Sequence, residues 1–226
     1  MEPDQHIPRH MLKIRKDLLY RLRWPILSSI SSIQISTGPV SLTFDSANNR
    51  TTSLDTSQTS LVPLFSSPLA DNSLFNPPLS RVDEICMSEC AEKQDYYESH
   101  DVFDYKAPTP LSIHNADDSP ITLGQFVAEV HAYYLTNVTA IKEVKAETYG
   151  VPNESGGRTI TCGKPWLPDD VGFWFHRAFS VGLEGKVRVS VDVVVEGDAW
   201  TRRGMEGFWE MQLRLAGVNE MGRETM

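Results

Sequence analysis

The sequence predicts an α+β fold, a small sheet of short strands with three or four amphipathic helices behind a largely disordered N-terminal leader. Three stretches carry that prediction. Thr122 starts a helix: Gln125, three residues on, supplies a capping box, and Ile121 with Phe126 can close a hydrophobic staple. Leu123, Phe126, Val127, Val130 and Tyr134 then recur at helical spacing, with Gln125 and Glu129 on the other side. Lys186–Glu196 alternates valine at 187, 189, 191, 193 and 195 with polar residues, so one face belongs in the core and one in water; only Val194 breaks the pattern. By contrast, residues 28–80 hold fourteen Ser, six Thr and five Pro. That composition offers too little apolar surface to offset the entropy of ordering the chain.

The bulk numbers exclude some functions. At 226 residues the chain can be one domain or two small ones. A net charge of −9 and a pI near 5.1 argue against binding nucleic acid through phosphate neutralisation. The sign is uneven, because residues 1–23 carry six Lys/Arg against three Asp/Glu. No apolar run approaches the roughly 18–20 residues that span a bilayer. Cys86, Cys90 and Cys162 are too few and odd in number for a disulfide framework. With no apolar signal region near the start, a cytoplasmic location is expected. Residues 9–36 are basic, acid-poor and Ser-rich, so a mitochondrial transit peptide is the alternative.

In chain order, 1–27 reads as a basic N-terminal segment and 28–103 as a Ser/Thr/Pro-rich, then acidic linker, mostly disordered. Within it Val40, Leu42 and Phe44 alternate as one short strand. Val82, Ile85, Met87, Cys90 and Tyr97 have helical spacing over 82–98, which would stand Cys86 and Cys90 one turn apart. A structural zinc site wants four ligands in known spacings. His100 and His114 do not complete one, and neither metal nor cofactor is expected.

Residues 104–217 read as the compact domain. Leu111 and Ile113 make a short strand, Asn115–Ser119 a turn, and the capped helix follows. A second helix carries Val138, Ile141, Val144 and Thr148, giving an αα-hairpin. Val151–Gly157 is a loop, and Arg158–Cys162 a strand. Gly156-Gly157 are turn residues, because a P-loop needs Lys-Ser/Thr and a following helix. Over 169–180 a helix is expected: Val171, Trp174, Phe175, Ala178 and Phe179 match its period, and Pro168-Asp169-Asp170 is a start signal. A strand with Phe173, Phe175, Phe179 and Val181 on one face stays open. Met205, Phe208, Trp209, Gln212 and Leu215 make a final helix over about 203–216, stopped by Gly217, and 218–226 is a polar tail.

Two blocks, P-T-P-L-S-I-H-N-A-D-D-S-P-I-T-L-G-Q-F-V-A-E-V-H-A-Y at 108–133 and R-T-I-T-C-G-K-P-W-L-P-D-D-V-G-F-W-F-H-R-A-F at 158–179, resemble a group of uncharacterised fungal proteins of unknown function. The resemblance covers about 104–216 and implies neither an activity nor a site.

No catalytic motif is present: no G-x-S-x-G, H-E-x-x-H or Rossmann glycine pattern. Four of five tryptophans lie in 166–209, and Trp166 stands in a loop between Pro165 and Pro168. Aromatic residues and Arg are favoured at interfaces. The sequence therefore reads as a protein-interaction module whose binding residues are Lys164, Trp166, His176 and Arg177, facing an unknown protein partner. The alternative is a small enzyme using Cys162 with His131 or His176, the histidine oriented by Asp169.

Overall fold

The computed structural model describes residues 13–45, 50–100, 104–149, 151–152, 158–159, 166–183, 186–198, 200–201 and 204–224. The first part is a string of short elements: β1 (Lys13–Ile14), α1 (Lys16–Leu19), β2 (Leu22–Arg23), β3 (Gln34–Thr37), β4 (Ser41–Asp45), β5 (Arg50–Asp55), β6 (Ser60–Pro63) and β7 (Phe75–Asn76). β8 (Arg81–Met87) runs straight into α2 (Ser88–Ser99). β9 (Leu111–His114) precedes the paired helices α3 (Leu123–Thr136) and α4 (Val138–Tyr149). β10 (Val151–Pro152) and β11 (Arg158–Thr159) form a small ladder. A long hairpin, β12 (Phe173–Leu183) and β13 (Lys186–Val195), leads to α5 (Met205–Glu224). The fold is α+β.

The main sheet has the order β12-β13-β8-β9, with β13 and β8 parallel and the other pairs antiparallel. Val189, Val191, Val193 and Val195 of β13 join Phe126, Val127, Val130 and Tyr134 of α3 in one core. The Tyr134 hydroxyl donates to the Val191 carbonyl at 2.9 Å, so this buried polar group is satisfied. The opposite face of β13 is not all solvated. Val194, out of phase in the sequence, is buried in a second cluster with Phe208 and Trp209 of α5.

The start of α3 is where the sequence puts it. Thr122 Oγ1 accepts the Gln125 amide at 3.1 Å, and Ile121 and Phe126 are both buried. The Gln125 side chain does not return to the cap. It exchanges two hydrogen bonds with the Asn115 amide instead, at 2.7 and 3.1 Å.

The disordered leader is corrected by the structure. Trp24, Ile26, Ile33, Ile35, Leu64 and Leu74 are each 0% exposed and belong to the same core as the valines of β13. Trp24 stacks on Phe175 at 5.2 Å. The backbone of 24–26 pairs with the free edge of β12, Phe175 N–H to Trp24 carbonyl and Ile26 N–H to Phe173 carbonyl, both 2.9 Å. There is also no boundary at 104, because β8 lies between β13 and β9 in the sheet. Strands of two to four residues show only one or two inward positions, too few to produce a readable period.

The helix expected over 169–180 is a strand from Phe173, and the first part of the helix expected over 82–98 is a strand too, for one shared reason. β12 carries a bulge between Phe175 and Arg177, and the β8–β9 pairing an irregularity between Val82 and Ile85. An extra residue brings the next inward side chain after three positions rather than two. Phe175 to Ala178 and Val82 to Ile85 thereby imitate helical spacing while all four stay buried. Residues 82–98 are thus strand to Met87 and helix from Ser88. At the other end, Gly217 does not stop α5. A Cβ there would come within 2.9–3.0 Å of Leu42 and Val40, so glycine permits the hairpin β4–β5 to approach the helix. The expected tail is helical through Glu224.

Where β8 turns away into α2, side chains replace the missing strand. Glu89 Oε1 accepts the Val193 amide at 3.1 Å. Lys145 of α4 donates to the Val193 carbonyl at 2.5 Å and pairs with Glu89 at 2.6 Å. Buried backbone groups need partners, and these two provide them. Burial pushes the Glu89 carboxyl above its ordinary value, with Lys145 working against it.

Candidate functional site

The residues expected to bind a partner do not form one site. Lys164 and Cys162 lie outside the described residues. Trp166 is 39% exposed, its ring 5.9 Å from that of Tyr149 and its backbone N–H donating to the Ala146 carbonyl at 3.2 Å, so it stands on α4. His176 is the extra residue of the β12 bulge, buried against Phe208 of α5 and against Trp200, which precedes that helix. Burial, then the neighbouring Arg177, pushes its imidazole down to about 4. Arg177 is exposed and pairs with Asp192 across the hairpin.

The enzyme alternative fares similarly. His131 is buried on α3, where its Nδ1 accepts from Trp24 Nε1 at 3.2 Å and burial lowers its pKa. Its Nε2 has no hydrogen-bond partner among the described residues. It packs beside Trp24, whereas His176 packs on α5, so the two histidines occupy different layers.

A different part of the fold gathers chemistry. A cavity of about 470 Å³ lies where β8 passes into α2, beneath the extended segment 105–110. The segment is held at three points. Ala107 N–H donates to Gln94 Oε1 at 2.9 Å, the Tyr133 hydroxyl reaches the Pro108 carbonyl at 3.5 Å, and Lys93 Nζ sits 4.4 Å over the Tyr105 ring. Pro108 and Pro110 lack amide donors and keep this stretch extended. Cys86, the penultimate residue of β8, and Cys90, in the first turn of α2, form part of the floor.

Two polar groups on the cavity wall have no hydrogen-bond partner among the described residues although their atoms are out of solvent: Tyr105 Oη and Arg188 Nε. Arg188 is paired in register with Glu84, but that carboxylate is engaged by Lys186 at 3.2 Å. The polar neighbours of the unpartnered groups are thiols. Cys86 lies beside Arg188 and Cys90 beside Tyr105, both weak acceptors. Burial pushes both thiols up, against the pull of Arg188 on Cys86 and of Tyr105 on Cys90. Both therefore stay protonated at neutral pH, which is the wrong state for a nucleophile. Burial also raises the Tyr105 phenol far above its ordinary value, so it remains a donor.

Cys86 and Cys90 do come together, but His100 closes the far end of α2, against Tyr96, and His114 ends β9. Among the described residues no group of three or more His, Cys, Asp or Glu is placed to hold a metal ion. Among them, too, no helix is long and apolar enough to cross a membrane.

No known protein family, curated protein or solved structure matches this chain. The site therefore has to be read from its own residues. Sequence reasoning missed it because Tyr105 ends an acidic stretch and Arg188 occupies an ordinary outward position of a strand. The one available signal was Pro108-Thr-Pro110, a segment unable to pair as a regular strand.

Proposed function

We propose that this protein binds a small organic molecule in the cavity beneath residues 105–110. One observation carries the reading: two residues from separate elements that line the same cavity, Tyr105 and Arg188, each hold a buried donor, Oη and Nε, with no better acceptor beside it than the thiol of Cys90 or Cys86. An unmade hydrogen bond of this kind costs about 1–3 kcal/mol, more for a charged group. The volume, about 470 Å³, lies within the roughly 300–1,000 Å³ usual for small-molecule sites. The wall is mixed: Met87, Ala91, Ala107 and Pro110 supply apolar surface, and Gln94, Asp95, Glu98, Lys106 and Arg188 supply polar groups that would fix orientation. With both thiols protonated, the reading is of binding rather than covalent catalysis. A ligand-observed NMR screen of small organic fragments against the full chain tests it. Hits that are lost on Ala107→Trp, which fills the cavity, support the site; hits indifferent to that change, or no hits, remove it.

The protein-interaction module expected from the sequence is a second reading. It is favoured by Trp166, which offers more than a third of its surface to solvent beside the Tyr149 ring. Trp166→Ala should leave the melting midpoint nearly unchanged and abolish capture of any protein that the immobilised wild type retains. A destabilised variant, or one that retains the same proteins, removes this reading. A cytoplasmic location fits two buried free thiols. The mitochondrial alternative is disfavoured, since cleavage after residue 36 would take Trp24, Ile33 and Ile35 out of the core.

A further inference from the structure

The cavity also constrains what kind of molecule it would hold, an inference that rests on the binding role above. Both unpartnered groups are donors, and one belongs to a guanidinium, which has no acceptor atom and does not deprotonate in proteins. The complement of such a pair is an anionic oxygen acceptor, a carboxylate or a phosphate, to either of which an Arg fork donates well.

The remaining charges around the cavity decide between them. Asp95 and Glu98 of α2 line it together with Lys106 and Arg188, so formal charge on the lining is balanced. Lys93 cannot add to the cationic side, because it is paired with Glu147 at 2.6 Å. Nor does Lys186, which holds Glu84. A dianionic phosphate would bring a second negative charge toward Asp95 and Glu98, which already balance the two lining cations, Lys106 and Arg188. A carboxylate brings one charge, and the rest of such a ligand can lie on Met87, Ala91, Pro110 and the Tyr133 ring.

We infer that the cavity takes a monocarboxylic acid with a compact apolar body, its carboxylate on Arg188 and Tyr105 and its apolar part against α2 and the 105–110 segment. Isothermal titration of the full chain with phenylacetate, octanoate, their uncharged primary amides and inorganic phosphate tests this. The carboxylates should bind at least tenfold more tightly than the amides, and phosphate should give no heat. Arg188→Gln should erase the preference for acid over amide. Arg188→Lys, which keeps the charge but loses the fork, should recover only part of it, and circular dichroism checks that both variants stay folded. Amides binding as tightly as acids, with binding lost on Ala107→Trp, would overturn the carboxylate while leaving the cavity as a site. Phosphate binding more tightly than either acid would do the same. No binding of any probe, together with no fragment hits, would remove both the class and the site.

Discussion

Replacing Trp24 by alanine tests whether the first quarter of the chain is core. The indole is 0% exposed, stacked on Phe175, and its Nε1 donates to His131. A tryptophan ring buries about 200 Å². At about 25 cal/mol per Å² that is ~5 kcal/mol, and partial collapse of the site brings the usual cost to roughly 3–5 kcal/mol. His131 Nδ1 then loses its donor inside the core, which adds about 1 kcal/mol. Against a total stability of about 5–15 kcal/mol for a typical domain, the variant should be barely folded. Trp24→Phe keeps an aromatic ring on Phe175 and loses the hydrogen bond, so its cost should be smaller, about 1–2 kcal/mol. Urea denaturation followed by far-UV circular dichroism measures both. A loss below about 1 kcal/mol for Trp24→Ala, or a fragment beginning at residue 104 that melts like the whole chain, would refute the reasoning.

Thr122→Ala removes the cap on Gln125 and should cost on the order of 1 kcal/mol in the same assay. Lys145→Met strands the Glu89 carboxylate beside β13 and should cost about 3–5 kcal/mol; Lys145→Met with Glu89→Gln should recover part of that, and no recovery would mean the pair does not act as a unit. His176 has a folded pKa near 4, below its ordinary 6.5, so the fold prefers the neutral ring. Its contribution is complete above pH 6.5 and is lost as the pH falls toward 4, on the order of 3 kcal/mol for a shift of that size. His131 moves in the same direction, whereas Glu89, raised by burial, favours the fold on the acid side. Comparing wild type with His176→Gln isolates the one group: the stability gap should change between pH 6.5 and 4, and a constant gap would show that His176 does not titrate there.

Much of the fold was readable where one element is long and keeps a single period. α3, with its Thr122 cap, and β13, with five alternating valines, are of that kind. β12 and β8 were not, because a bulge inserts a three-residue step and the resulting spacing belongs equally to a helix. The N-terminal part was missed for a different reason. Its buried residues, Trp24, Ile33, Ile35 and Leu64, are separated by Ser-rich turns, and composition averaged over such a stretch hides a few fully buried side chains. Gly217 followed the rule for helix stops, but its role is set by Leu42, which lies 175 positions away in the chain. The cavity was illegible because its parts come from 86–98, 105–110 and 188, each ordinary alone. Of the residues proposed for binding, Trp166 is exposed as a binding residue requires, and His176 is spent on packing.

The parallel pairing of β8 with β13 has a consequence for the order in which the molecule can assemble. Asp83 and Glu89 bond to the amides of Val187 and Val193, 104 residues further along, and Trp24 waits for Phe175 in the same way. The hairpin β12–β13 closes locally over ten paired positions, as the shorter pair β4–β5 does. Distant contacts are reached only after the entropy of closing a long loop has been met, which slows folding. The last strands made should therefore be the first to hold together, and they become the template onto which the earlier half is laid. A ribosome still short of residue 195 would carry a chain whose core lacks part of the valine face of β13. Pulsed hydrogen exchange during refolding would reveal this sequence of events as early protection of the Val189–Val193 amides and late protection of those in 26–36. Simultaneous protection of the two would mean that the halves condense together.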